Sequence, residues 1–211
     1  MPHQTLRQTL RQTLRGVGAT ALLAALATSA QAHTGHGTHS LMEGLVHPFG
    51  ADHLLAMLAV GVWSVSALPQ GKAWWGPAAF MAALTASAAL GAAGLTVPYL
   101  EHAIALSVVL FGLMLVMAQR RLPTALGLGL VAAAASLHGL AHGAETPTSE
   151  LSGFAGYAAG FLLTTAALHV SGMGAGLAIR RWLAQRSGVV LGGLGAGLGA
   201  AGLYLFGQLA A

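Results

Sequence analysis

The 211-residue sequence contains no cysteine, and only 7% of its residues are charged. The first absence excludes disulfides, thiolate metal sites and cysteine redox chemistry. The second excludes a soluble globule, whose surface would need several times more charge. A G-x4-G-K-[ST] stretch is also missing, and with it the phosphate-cradling loop of an ATP-driven pump. What is there is apolar: 55% of the residues are hydrophobic, and the mean hydropathy is +0.71. Long apolar stretches place the chain in the membrane class. The pI near 10.4 does not point to nucleic acid. All nine basic residues lie in a leader or in short loops, where they act as topology signals.

The leader is basic, then apolar, then small. Arg7, Arg11 and Arg15 sit in a Gln-Thr-Leu-Arg repeat, an apolar run covers 17–27, and Ala30-Gln31-Ala32 forms an A-x-A cleavage site. This order predicts a signal peptide over 1–32 and a mature chain starting at His33. The remaining 33–211 reads as one permease domain with six apolar segments, roughly 41–68, 75–94, 98–118, 124–143, 152–179 and 188–209. Each is long enough for about 30 Å of hydrocarbon. Pro69 and Gly71, Gly94 to Pro98, Pro123 and Pro147 punctuate them.

Loop charge sets an expected orientation. Lys72, then Arg120 and Arg121, then Arg180, Arg181 and Arg186 follow the first, third and fifth segments. The other loops and the C-terminus carry no Lys or Arg, so the positive-inside rule makes the first set cytoplasmic. Trp74, Trp75 and Trp182 flank those loops as interfacial anchors would. The expectation is an all-α, polytopic bundle in a bacterial cytoplasmic membrane, with both termini outside. Gly172-x3-Gly176 and Gly195-x3-Gly199 are small-xxx-small pairs for close helix packing.

Ionisable groups at mid-membrane cost roughly 2.5–3.5 kcal/mol each on insertion scales, so those present need a reason. In the predicted orientation His47, Asp52 and His53 lie in the outer half of segment one. Glu101 and His102 open segment three, and His138, His142 and Glu145 close segment four at the same level. The last three are spaced i, i+4, i+7 and cover about 40° of one helix face. His47 precedes Pro48, which predicts a helix start or break there that frees His47 to face segment four. Imidazole with carboxylate and no thiol is a ligand set for a borderline divalent metal. Glu101 reads equally as ligand or charge partner, and His102 as a surface histidine. His169 lies deeper, as an interhelical hydrogen-bonding residue or a second station for an ion moving inward. His33, His36 and His39 form a glycine-spaced tract that reads as an ion-capture arm or a polar tail.

At these residues the chain resembles the HupE/UreJ family of nickel permeases. The matching blocks are His47-Pro48-Phe49-Gly50-Ala51-Asp52-His53-Leu54-Leu55-Ala56-Met57 with Gly61 and Trp63, and His138-Gly139-Leu140-Ala141-His142-Gly143-Ala144-Glu145. Glu101 to Ser107 and the stretch Ala32 to Gly37 are also similar. Phe49-Gly50 departs from the family, where a small or hydroxyl residue commonly precedes the glycine. The resemblance implies uptake of nickel, sometimes cobalt, for hydrogenase or urease maturation.

The expected function is therefore a permease, not an enzyme, with a transition-metal ion as cargo and no fixed cofactor. Its partners are the ion and the lipid bilayer, with no nucleic acid, and a homo-oligomer is left open. Imidazoles bind metal only when neutral, so uptake should fall below about pH 6.5. The competing class is an intramembrane metalloenzyme with a fixed Zn²⁺ or Fe²⁺, or a metal sensor or assembly subunit without transport.

Overall fold

The computed structural model describes residues 40–120, 122–145 and 151–209, and the leader, the His33, His36 and His39 tract and Arg121 lie outside them. The described residues are helical, with no strand. Helices α1 (Leu41–Val46), α2 (Ala51–Ala67), α3 (Trp75–Ala92), α4 (Leu100–Val116), α5 (Thr124–Ala144), α6 (Leu151–Trp182) and α7 (Ser187–Leu209) follow in order.

Helix α1 begins where the Ser40 hydroxyl accepts the Glu43 N–H at 3.2 Å. A 3-10 turn, His47–Phe49, continues it. Gly50 then takes an extended ψ of 142°, and α2 leaves at 73° to the first piece. The sequence predicted a helix start or break at His47, and the α-helix does end there, with His47 as its C-cap and first residue of the 3-10 turn; the sharp change of direction follows at Gly50.

Among the described residues, four helices are long and apolar enough to cross a membrane: Trp75–Ala92, Thr124–Ala144, Phe154–Trp182 and Ala184–Leu209. The bent pair would make a fifth, and Leu100–Val116 is a shorter apolar helix. Helix α3 ends where Gly94, at φ 92°, turns the chain so that Leu95 N–H returns to the Leu90 carbonyl at 3.0 Å.

Helices pack mainly in pairs: α3 with α5, α4 with α7, and α2 and α1 with α6. Glycine makes each pairing close. A Cβ on Gly139 or Gly143 would meet the α3 backbone at Leu84 or Ala88. Gly172 and Gly176 of α6 lie against Leu58 and Val62 of α2, and Gly112 of α4 against Gly195 and Gly199 of α7. Phe80, Phe111, Met57, Leu84 and Leu115 fill the interior, each at most 2% exposed.

The cations collect at one end. Gln70, Arg120 and Arg180 line a common cavity of about 450 Å³ with Ser187, and Arg180 Nη1 donates to the Val65 carbonyl at 3.2 Å. Lys72 stands 4.4 Å over the exposed Trp75 ring. The histidines gather at the opposite end, where α2 begins and α5 finishes.

Candidate metal site

The Gly50 bend aims the start of α2 into the bundle. It sets His53 fully inside, at 0% exposure, beside His138 (0%) and His142 (5%) of α5. His53 Nε2 stands 2.6 Å from His142 Nε2 and 3.3 Å from His138 Nδ1. His47, on the 3-10 turn, brings its ring centroid to 4.7 Å from that of His142 and 5.7 Å from that of His53. One donor atom each from His47, His53 and His142 falls within 4.8 Å of the others. That spacing lets one ion reach all three, since metal–imidazole bonds run about 2.0–2.1 Å.

The proton positions follow from the partners. Asp52, in the first turn of α2, accepts the His53 backbone N–H at 2.8 Å and the His53 ring Nδ1–H at 2.9 Å. A carboxylate can only accept, so His53 carries its proton on Nδ1 and turns the Nε2 lone pair toward His138 and His142. Ser107 of α4 donates its single hydroxyl hydrogen to the Ile104 carbonyl at 2.7 Å. The same hydroxyl meets His138 Nε2 at 3.0 Å, and so holds the far side of the His138 ring while its Nδ1 faces His53. Two helices thus bring imidazole nitrogens to one place; a carboxylate on the far side fixes the His53 tautomer, and a hydroxyl orients the His138 ring. Partners of this kind orient the histidines of metal sites in general.

Asp52 reaches the cluster through His53 in this arrangement. Glu145 caps α5 with its Oε2 3.7 Å from His142 Nδ1, and its side chain is 31% exposed. The C-terminal end of α5 also favours positive charge. Glu101 is half-buried in the first turn of α4, and it is not in the three-residue group whose donors could share one ion. His102 turns away, its ring between Tyr99 (5.8 Å) and Phe206 (5.2 Å). His169, 1% exposed, lies deeper; its Nδ1–H donates to the Thr165 carbonyl of its own helix at 2.8 Å.

Aromatic rings of α6 close one side. The Phe161 centroid lies 4.4 Å from that of His142 and 5.8 Å from that of His47, and Tyr157 stacks on Phe161. An apolar cleft of about 240 Å³ between α3 and α6 runs past these rings to His142. The Thr164 hydroxyl donates to the Leu45 carbonyl at 2.9 Å and ties α1 to α6. Sequence reasoning missed Tyr157, Phe161, Thr164 and Ser107. Phe154, Tyr157 and Phe161 at i, i+3, i+7 were the available signal, an aromatic stripe on one face of α6.

Comparison with known proteins places these residues in a family. A family model described as HupE / UreJ protein matches residues 21–205. Protein HupE of Rhizobium leguminosarum bv. viciae is 44% identical over 158 residues, covering 74% of this chain and 81% of that protein. No solved structure matches the chain.

Proposed function

The chain belongs to the HupE/UreJ family, and on that premise we propose that it is a secondary transporter importing a divalent transition-metal ion, nickel or cobalt. One observation carries the reading: His47, His53 and His142 offer donors within 4.8 Å, inside a bundle of apolar helices. A neutral imidazole set suits nickel, cobalt, zinc and copper, and family membership favours the first two.

In this reading the bent α1–α2 pair counts as one span, and α3 to α7 supply five more. The 17 residues of α4 are at the short limit for crossing. The basic end faces the cytoplasm and the histidine end faces outward, in a bacterial cytoplasmic membrane, with the leader removed after Ala32. His33, His36 and His39 raise the local ion concentration. Glu101 and Glu145 add negative charge at the mouth. The ion then exchanges part of its water shell for His47, His53, His138 and His142, while Asp52 holds His53 in register. A shell incomplete in protein ligands binds weakly enough to release its cargo. A membrane potential of 100 mV drives a divalent cation inward by about 4.6 kcal/mol, so no nucleotide is required. The link to hydrogenase or urease maturation is delivery of that ion.

Time-resolved ⁶³Ni uptake into proteoliposomes tests this, with wild type beside His47→Ala and His142→Ala. Saturable flux in wild type, lost in both variants at equal protein level, is the expected result. No flux, with one metal retained through chelator washing, would instead favour a fixed-metal enzyme or sensor.

A further inference from the structure

The outer histidines leave one buried imidazole unused. We infer that His169 and Thr165 of α6 form a second, inner ion station, separated from the outer cluster by the Phe80 ring. The inference rests on the outer cluster being the cargo's first site.

Three observations support it. First, Nδ1 of His169 is committed to the Thr165 carbonyl at 2.8 Å, so the proton sits there and the lone pair lies on Nε2. That Nε2 is buried and has no hydrogen-bond partner among the described residues. Second, the Thr165 hydroxyl, at 0% exposure, is equally buried and equally without a partner. Buried polar atoms are nearly always satisfied, and two orphans one helical turn apart, an imidazole nitrogen and a hydroxyl, make a natural pair for a ligand. The ring donates to its own helix and packs against Phe80, at 4.9 Å, so the sequence reading of an interhelical hydrogen bond finds no support. Third, the position lies on the way in. Phe80 is 0% exposed and its centroid stands 6.0 Å from that of His138, so one phenyl ring touches both imidazoles.

Depth agrees with this order. The His169 carbonyl packs on Gly61, eight residues and about 12 Å along α2 from His53 toward the basic end. Side chains lean toward a helix's N-terminus, so the His169 ring tilts back toward the cluster. Imidazole and hydroxyl form a sparser and weaker set than the outer histidines, as a release station requires. The Phe80 ring has to rotate aside for each ion to pass, which keeps the two stations from being one continuous pore.

The full chain in proteoliposomes and nanodiscs tests the inference with Ni²⁺ itself. His169→Ala should lower maximal uptake at least tenfold while the outer-site Kd stays within twofold of wild type. Thr165→Val, which preserves side-chain shape, should lower uptake about threefold. His169→Cys should raise Cd²⁺ flux relative to Ni²⁺ at least fivefold, because a thiolate prefers the softer ion and a packing role would not alter the ratio. Maximal uptake within twofold of wild type in His169→Ala, or an unchanged Cd²⁺/Ni²⁺ ratio in His169→Cys, overturns the inner station. Failure of the outer-site reading looks different: the Kd would not change in His142→Ala.

Discussion

Asp52→Asn separates a supporting carboxylate from a metal-binding one. Asp52 Oδ1 holds the His53 ring at 2.9 Å and the His53 backbone N–H at 2.8 Å. Asparagine keeps the shape and a neutral carbonyl acceptor but loses the charge. Hydrogen bonds to charged groups contribute about 1.5–3 kcal/mol and neutral ones about 0.5–1.5. The difference, roughly 1–1.5 kcal/mol, corresponds to about tenfold weaker ion binding. Asp52→Ala removes the acceptor altogether and should approach the hundredfold upper range for residues that orient metal-binding histidines. Binding of ⁶³Ni by equilibrium dialysis in nanodiscs gives the affinities, and ¹⁵N NMR of the His53 ring gives its tautomer. Asparagine should broaden the tautomer population, and His53→Ala should cost more affinity than either change at Asp52. If Asp52→Asn weakens binding as much as His53→Ala does, the carboxylate contacts the ion directly and the reasoning fails. An affinity within twofold of wild type would refute it from the other side.

Three further outcomes follow. Initial uptake should fall as pH is lowered from 7.5 to 5, because a protonated imidazole has no lone pair to give, and it should fall more steeply than one proton allows since several imidazoles are needed. Flat rates from pH 5 to 7.5 would exclude histidine ligation. Gly143→Leu should drive a side chain into the Ala88 backbone of α3, costing about 1–3 kcal/mol by overpacking. Gly129→Ala, where a Cβ meets nothing within 4 Å, should instead be neutral or gain up to about 1 kcal/mol; thermal melts of the two in detergent should move apart. The cysteine-free sequence is a ready background for topology: Lys72→Cys should react with impermeant maleimide only from the cytoplasmic side, and Tyr99→Cys only from outside. Labelling of both from one side would sink the proposed orientation.

Much of this was legible in the chain, and the reason differs by element. Apolar runs punctuated by Pro69, Pro98 and Pro123 mark the helices, because a break in hydropathy is a local property. The meeting of His53 with His138 and His142 followed from depth: helices entering from opposite sides carried polar groups to one level. What could not be read was rotation about each helix axis. These helices are apolar nearly all round, so no amphipathic stripe says which face turns inward. Ser107 looked like any serine bonding back into its own helix, and it does bond to Ile104. Only packing of α4 beside α5 reveals that it also bonds to His138 Nε2. Phe161 and Tyr157 looked like ordinary core for the same reason. The end of the α-helix at His47 was legible from Pro48, but the 73° change of direction that follows at Gly50 was not, because it depends on what the start of α2 packs against.

The short first helix has a consequence for how the protein is made. Leu41–Phe49 is too brief to span a bilayer by itself, and it rests on α6 through Gly44 against Tyr157 and through the Thr164–Leu45 hydrogen bond. That support is synthesised more than a hundred residues later. At about 5–20 residues per second the ribosome takes on the order of ten seconds to supply it. Until then His47 has no wall of Phe161 and Tyr157 behind it, and the three donors are not assembled. The wall of the histidine cluster is thus among the last parts of the bundle to be made, with only α7 still to follow.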